Sequence, residues 1–273
     1  MGLLICMGGY GQMEQLLAQL EGYRKEGLDL LCDCYPYSAF STVIGATTYD
    51  EGFLDLYQQE DYSGILIVNG EYAGQRCTKE IYDVLRMTAP DTATVAYFMK
   101  DDDIDRALLS PMVMVGSDGL RKEGRGHPRA SGTFPRFIKN YIKTGKISLI
   151  DGLAKMTSIP AERLQLPDKG NLCPGSDADV VIFDLDEITD CATFEDGQLP
   201  PKGIDYVCYL QKGASLLLHH PHRVRVHGSV SGSGGADLLL HHHPLLQLRH
   251  HQLLHHHDVR HGHPHPSAHH APL

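Results

Sequence analysis

An acidic residue at the end of an apolar run is the first feature of the sequence that could do chemistry. Residues 112–137 read MVMVGSDGLRKEGRGHPRASGTFPRF, and the apolar run stops at Ser117-Asp118. Gly116 and Gly119 flank this pair, which favours a tight turn and leaves room for a ligand. A carboxylate in this position could contact a metal ion or transfer a proton. The alternative is an aspartate that only hydrogen-bonds the backbone of its own turn.

The segment that follows offers an imidazole and a cation in the tripeptide His127-Pro128-Arg129. The planar guanidinium of arginine pairs both oxygens of a carboxylate at once, so Arg129 is a candidate for binding an acidic group of a substrate. The alternative is an ion pair with one of the many acidic residues at the surface. His127 lies between glycine and proline, and we interpret it as a loop residue or a support of the site rather than a metal ligand.

Two cysteines and two tyrosines lie close together in the stretch CDCYPY. Tyr35 and Tyr37 could line a substrate pocket, although core tyrosines with a hydrogen-bonded hydroxyl fit the pattern equally well. Cys32 and Cys34 are two residues apart, so they point to the same face of a strand. A soft metal could bind such a pair, but no second pair accompanies it in the sequence. We therefore predict buried thiols.

The composition argues against several classes of protein. The formal net charge is −10 and tryptophan is absent, which argues against a nucleic-acid partner, since such proteins carry clustered basic residues. No apolar run reaches about 18 residues, so we predict no membrane span. The start MGLLICMGGYG lacks the basic flank of a signal peptide. The seven cysteines have no paired spacing, which indicates free thiols in a reducing cytoplasm.

Histidine is distributed very unevenly along the chain. Residues 1–212 contain one histidine, His127, whereas residues 213–273 contain the other 17. This last stretch has no Ile, Met, Phe, Tyr, Cys, Lys, Asn, Thr or Glu. Such a change of composition favours a slip of reading frame near residues 208–213, and the alternative is a genuine histidine-rich tail that binds nickel, zinc or copper. Because the tail has no sustained apolar pattern, we predict that it is disordered.

The order of the predicted elements favours α/β alternation around a parallel sheet. Amphipathic spacing and cap signals predict helices, and short apolar runs that end at glycine, proline or an acid predict strands. Ser148 is a candidate N-cap and Pro160 a candidate kink. The predicted helices are 12–25, 78–87, 101–109, 134–145 and 148–166, and the predicted strands are 28–37, 65–70, 93–99, 112–118, 177–189 and 203–210.

Several separated motifs, in order along the chain, resemble one known family. They are DCYPYSAFST (33–42), GSDG with GHPRASGTFPRF, KMTSIPAERLQLPDKGNLCPGSDADVVIFD, and ITDCATFEDGQLPPKGIDYV. Together they are similar to the C-terminal part of the N-acyl-D-amino-acid deacylases, the D-aminoacylase group of the amidohydrolase superfamily. The resemblance covers roughly residues 10–210.

The resemblance implies a fold, a metal and a reaction. The fold class would be α/β: part of a (β/α)8 TIM barrel with an insertion over residues 1–165 and a remnant of a small β-domain over 166–212. The tail over 213–273, predicted above to be disordered, follows them. The cofactor would be zinc, and the reaction would be hydrolysis of an N-acyl-D-amino acid to a carboxylate and a D-amino acid. Asp118 would contact the metal and shuttle a proton, and Arg129 would bind the substrate carboxylate, with Tyr35 and Tyr37 near the substrate.

The sequence before His127 lacks the zinc-binding histidines that the resemblance implies. Zinc sites of this superfamily use a His-x-His pair and further histidines, whereas residues 1–126 contain no histidine. One carboxylate does not hold catalytic zinc, which takes about three protein ligands. We therefore expect a fragment that is inactive alone, with two open strand edges that promote aggregation. The alternatives are a cyclic amidohydrolase of the hydantoinase or dihydroorotase type, and a non-catalytic protein whose tail sequesters metal.

Overall fold

The computed structural model describes residues 10–119, 126–209, 217–220 and 223–226. Within these residues no helix is both long and apolar enough to cross a membrane. The α-helices are α1 (Met13–Lys25), α2 (Phe53–Leu56), α3 (Lys79–Thr88), α4 (Asp101–Leu109), α5 (Arg129–Phe137), α6 (Leu149–Ala154) and α7 (Ser158–Arg163). The strands are β1 (Cys32–Cys34), β2 (Phe40–Val43), β3 (Ile65–Ile67), β4 (Ala93–Ala96), β5 (Val113–Val115), β6 (Val180–Phe183), β7 (Ile204–Tyr209), β8 (Leu217–His220) and β9 (Arg223–Val226).

Strands β1 and β5 form a parallel pair, which confirms two of the predicted strands. Cys32 lies opposite Val113 and Cys34 lies opposite Val115, and all four side chains are buried in the main core. Because the two strands run in the same direction, the residues that follow them lie at the same edge of the sheet. Asp118 and the Tyr35–Tyr37 segment are brought together in this way.

Strands β2, β4 and β3 form a separate antiparallel sheet in that order. The expectation of a parallel sheet built from all the apolar runs is therefore wrong for β3 and β4. The first and last residues of β3 and the last three residues of β4 are buried, as the apolar runs predict, but burial does not determine the direction of the neighbouring strand. The parallel sheet of the described residues has two strands, so the partial (β/α)8 barrel stays a prediction.

The edge of β5 that faces away from β1 is covered by Lys155. On the side of β1, Met112 O accepts from Cys32 N, and Gly116 N donates to Cys34 O. The carbonyl of Val113 and the amide of Val115 point to the opposite side, because backbone groups alternate along a strand. Lys155 Nζ donates to Val113 O at 2.6 Å, and Lys155 O accepts from Val115 N at 3.1 Å. We expected a fragment with two open strand edges, and on this side of β5 the chain itself satisfies these two backbone groups.

The last described sheet is antiparallel, with the order β6-β7-β8-β9. Strands β6 and β7 lie within the predicted strands 177–189 and 203–210. Strands β8 and β9 belong to the stretch 213–273, for which we expected disorder, so that expectation is wrong for these eight residues. The unpaired edge of β7 gives β8 a partner, which a pattern within the tail alone does not reveal. Residues 227–273 lie outside the described residues.

The helices after β5 differ from the prediction in where they begin and break. Helix α5 begins at Arg129, five residues before the predicted start, and continues into a π-helical segment at Ile138–Ile142. The predicted helix 148–166 is two helices, α6 and α7. Ser148 is the N-cap of α6, as predicted, because its side chain accepts a hydrogen bond from Asp151 N. Pro160 lies in the first turn of α7, where its missing amide hydrogen breaks no hydrogen bond.

Candidate active site

Asp118 lies three residues beyond the end of β5, in a turn that the glycines on either side make possible. Its backbone is left-handed, with φ 44°, and aspartate tolerates this conformation better than most residues. A Cβ on Gly119 would lie 2.8 Å from Ala130 Cα, so the turn passes directly against the start of α5. The Asp118 side chain is 54% exposed. The turn thus presents a carboxylate to solvent at the edge of the sheet.

Arg129, the first residue of α5, contacts Asp118 twice. Nε donates to the Asp118 carbonyl at 2.9 Å, and Nη2 lies 2.7 Å from Asp118 Oδ2. The guanidinium carbon lies 4.7 Å from the centre of the Tyr35 ring. The side chain is 5% exposed, so the alternative of an ordinary surface ion pair does not describe it.

The third nitrogen of the guanidinium has no partner among the described residues. Arg129 Nη1 is buried and makes no hydrogen bond there. A buried donor without an acceptor costs free energy, and the cost is larger for a charged group. The nitrogen is therefore ready to bind an acceptor, and an anionic oxygen would satisfy it best.

The two tyrosines of the CDCYPY stretch have different surroundings. Tyr35 is fully buried, and its ring lies against the Arg129 guanidinium. Tyr37 donates its hydroxyl to Asp190 Oδ2 at 2.6 Å, and burial, followed by this carboxylate, raises the pKa of the phenol. The Tyr37 hydroxyl is thus engaged within the protein, and the predicted contact between Tyr37 and substrate would have to use the ring.

His127 lies inside the protein and not in the open part of the site. It is 2% exposed, and burial together with the Arg129 charge lowers its pKa to about 3. One ring nitrogen contacts the Ala39 carbonyl and the other accepts from the Arg129 amide. These contacts agree with our interpretation of His127 as a support of the site.

Asp33 is the residue of the site that the sequence analysis missed. Asp33 lies in β1 between the two cysteines. A Cβ added to Gly116 would lie 3.0 Å from the Cβ of Asp33, so the two residues are adjacent. Burial raises the pKa of the Asp33 carboxyl, and the nearby charge of Asp118 raises it further. The signal was present in the sequence, because an acid in the middle of a buried strand must face away from the apolar side.

Zinc is the metal that the resemblance implies, and it needs several protein ligands close together. Within the described residues no group of three His, Cys, Asp or Glu side chains could hold a metal ion. Cys32 and Cys34 are buried thiols, as predicted. Burial, followed by the charge of Asp33, raises the pKa of Cys32. A thiol must lose its proton to bind zinc. Asp118 is the ligand that the resemblance implies, and the described residues do not fit a complete zinc site.

Comparison with known proteins identifies relatives over most of the chain. Residues 85–206 match the model of the amidohydrolase family. An N-acyl-D-glutamate deacylase of Alcaligenes xylosoxydans xylosoxydans is 28% identical over 84% of this chain and 48% of its own length. A D-aminoacylase of the same organism is 37% identical over 61% of this chain and 35% of its own length. The chain therefore spans about half the length, or less, of these relatives.

Solved structures give the same result. A crystal structure of N-acyl-D-glutamate deacylase from Bordetella bronchiseptica, with zinc and a phosphonate that mimics the tetrahedral intermediate, has a TM-score of 0.63 and 30% identity. The match covers 72% of the present chain and 42% of the Bordetella enzyme. A crystal structure of D-aminoacylase that defines a subset of amidohydrolases has the same TM-score, with 31% identity over 73% of this chain and 42% of that one. The resemblance to the N-acyl-D-amino-acid deacylases of the amidohydrolase superfamily is thereby confirmed.

Proposed function

We propose that this chain carries the carboxylate-binding and proton-transfer part of an N-acyl-D-amino-acid deacylase. The reaction is hydrolysis of a carbon–nitrogen bond that is not a peptide bond, and the products are a carboxylate and a D-amino acid. The observation that supports this most directly is the unpaired Nη1 of Arg129, buried beside the half-exposed carboxylate of Asp118. The relatives named above, all deacylases of N-acyl-D-amino acids, give the class of substrate.

Arg129 would bind the α-carboxylate of the substrate. Two of its nitrogens already contact Asp118, so the guanidinium is held in one orientation before substrate arrives. The free Nη1 would donate to a carboxylate oxygen and remove the cost of a buried, unpaired donor. The Tyr35 ring under the guanidinium keeps water from that side.

Asp118 would move the proton. Its carboxylate is within reach of solvent, so it can accept a proton from an attacking water and pass it to the leaving amine. Arg129 keeps the carboxylate next to the bound substrate, because both groups are held by the same guanidinium. The neighbouring Asp33, with its raised pKa, gives the site a second carboxyl in a different environment.

Zinc is a further part of the proposal, and the described residues supply only a share of its ligands. A related structure contains zinc, and we propose Asp118 as the residue of this chain that contacts it. About three protein ligands are needed, so the remainder would have to come from residues other than those described. We also propose a small-molecule substrate, no nucleic-acid or membrane partner, and a cytoplasmic location. The location is in keeping with five cysteines that form no disulfide among the described residues.

The test of the proposed function is release of a D-amino acid from an N-acetyl-D-amino acid by the full chain, with and without zinc. We expect that Asp118→Asn abolishes any release, because an amide does not accept the proton. Activity that survives Asp118→Asn would overturn the proposed role of Asp118. A chain without activity that still binds N-acetyl-D-alanine through Arg129 would retain the carboxylate site and lack the remaining catalytic groups, as we expect for this chain alone.

The histidine-rich stretch supports a second candidate function, sequestration of metal. Residues 213–273 contain 17 histidines, and short histidine tracts bind nickel, zinc or copper. Titration of the full chain with nickel, compared with a chain that ends at residue 212, separates the two functions. Tight, stoichiometric binding that is lost with the tail would favour sequestration, whereas weak binding that is the same in both chains would exclude it.

A further inference from the structure

His127 is the one histidine of residues 1–212, and the proposed chemistry does not use it. Both of its ring nitrogens are engaged. Nδ1 accepts a hydrogen bond from the backbone amide of Arg129 at 3.1 Å, and Nε2 lies 2.9 Å from the Ala39 carbonyl oxygen. A buried imidazole with two engaged nitrogens has neither a lone pair for a metal nor a proton to exchange.

The two partners determine the protonation state of this ring. A backbone amide can only donate, so Nδ1 must carry the lone pair. A carbonyl can only accept, so Nε2 must carry the hydrogen. The ring is therefore neutral and in a single tautomer. A charged imidazole would lose the hydrogen bond to Arg129 and would place a second cation beside the guanidinium.

Aromatic rings from separate parts of the chain keep the imidazole in place. The ring centres of Tyr35, Tyr37 and Phe194 lie 5.6, 5.1 and 5.0 Å from that of His127. Tyr35 and Tyr37 follow β1, and Phe194 belongs to the segment between β6 and β7. A ring packed on three sides at these distances has one position, because protein interiors are close-packed.

The contact between His127 and Arg129 acts at the point where α5 begins. The first amides of a helix have no partner within the helix, and His127 provides one for Arg129. The backbone of Arg129 is thus fixed by His127, while its side chain is fixed by Asp118. With both ends fixed, the free Nη1 can point in one direction only.

We propose that His127 is a positioning residue, which directs the Arg129 guanidinium toward the substrate carboxylate. It does so by fixing the Arg129 backbone and linking it to Ala39, the residue before β2. The inference rests on the proposed function, in which Arg129 binds that carboxylate. It assigns His127 a role in substrate binding without any contact with substrate, metal or reacting atoms.

The experiment follows the Arg129 Nε–H group by NMR in the full, ¹⁵N-labelled chain, with Arg129→Lys used to identify its signal. Two variants separate the two nitrogens of His127. In His127→Asn the amide oxygen replaces Nδ1 and can still accept from Arg129, whereas in His127→Gln the longer side chain reaches the Ala39 carbonyl instead. We expect the Nε–H signal to stay near its wild-type position in His127→Asn. In His127→Gln we expect it to shift and to exchange with water about tenfold faster, as for loss of a hydrogen bond.

The control is Tyr49→Phe, which removes a buried hydrogen bond to Thr94 far along the chain from this contact and should leave the Arg129 signal unchanged. An Arg129 signal that is the same in His127→Gln as in wild type, or that changes equally in both His127 variants, would overturn the inference. Titration with N-acetyl-D-alanine tests the proposed function separately. If the wild-type Arg129 signal does not respond to this ligand, the proposed function fails, while the comparison of the variants still decides the role of His127.

Discussion

Arg129 contacts both the backbone and the side chain of Asp118, through Nε at 2.9 Å and Nη2 at 2.7 Å. The guanidinium is buried and the carboxylate is half-exposed. The pair therefore joins a fixed cation to an anion that solvent and substrate can reach. Because Asp118 is also held in a left-handed conformation, the turn, the charge and the orientation of Arg129 depend on one another.

Replacement of Asp118 by asparagine tests the strength of this pair. Asparagine tolerates the left-handed backbone, so the change removes charge without strain. We expect the free energy of unfolding to fall by about 1–3 kcal/mol, less than for a fully buried pair because Asp118 is partly screened by water. Urea unfolding measures the change. The control is Asp83→Asn, which breaks the exposed pair with Lys79. An equal loss of unfolding free energy in both variants would contradict the claim that the Asp118–Arg129 pair stabilises the protein more than a surface pair does.

Replacement of Arg129 by lysine tests carboxylate binding. An ammonium group is a compact charge and cannot contact Asp118 twice while also donating to a substrate oxygen. We expect the Kd for N-acetyl-D-alanine, measured by calorimetry, to rise by about 10-fold or more, the effect of losing a hydrogen bond between charged groups. Arg106→Lys, in an exposed pair with Glu14, should leave the Kd unchanged. Equal affinity of wild type for N-acetyl-D-alaninamide, which has no carboxylate, would contradict the assignment.

Lys155 gives the stability of the protein a dependence on pH. Burial lowers its pKa from 10.5 to about 8, so between these values the unfolded chain holds a proton that the folded chain has lost. Stability must therefore rise with pH across this window. We expect wild type to gain about 1–2 kcal/mol relative to Lys155→Met between pH 7 and pH 10, measured by urea unfolding. Lys139→Met is the control for the loss of one lysine. A difference in unfolding free energy between wild type and Lys155→Met that does not change with pH would refute the prediction.

Gly132 in α5 has no room for a side chain. A Cβ at this position would lie 2.1 Å from Asp190 Oδ1 and 2.2 Å from the Tyr37 hydroxyl. We expect Gly132→Ala to separate these two groups and to lower the free energy of unfolding by about 1–3 kcal/mol, as overpacking does. The matched control is Gly22→Ala in α1, where nothing lies within 4 Å and alanine should stabilise the helix by about 0.5–1 kcal/mol. Thermal unfolding that shows the same sign for both variants would count against this packing.

Residue types identified the candidate site, but they did not show how its members pair. Asp118 was found from its place after an apolar run, and Arg129 from the chemistry of its side chain. The contact between Asp118 and Arg129 depends on the path of the chain between them and on where α5 begins. The sequence pattern placed that start five residues too late. Asp33 was missed because its strand was treated as uniformly apolar.

The direction of strands was less accessible to sequence analysis than their positions. Apolar runs located β1, β3, β4 and β5, because strands that are buried on both faces are rich in apolar residues. Whether neighbours are parallel depends on contacts between distant segments, and β2, which was not predicted, determines the antiparallel order in which β4 lies. For the same reason β8 was not expected, because its partner β7 precedes the change in composition.

The amine and carbonyl of Lys155 occupy the positions that a neighbouring strand would otherwise use along β5. Any other polypeptide that sought to extend the sheet on this side would first have to displace them and leave an ammonium group without acceptors in an apolar layer. Self-association by sheet extension is thus disfavoured at β5. Any fibre-like growth of this protein should begin at the edge of a different strand.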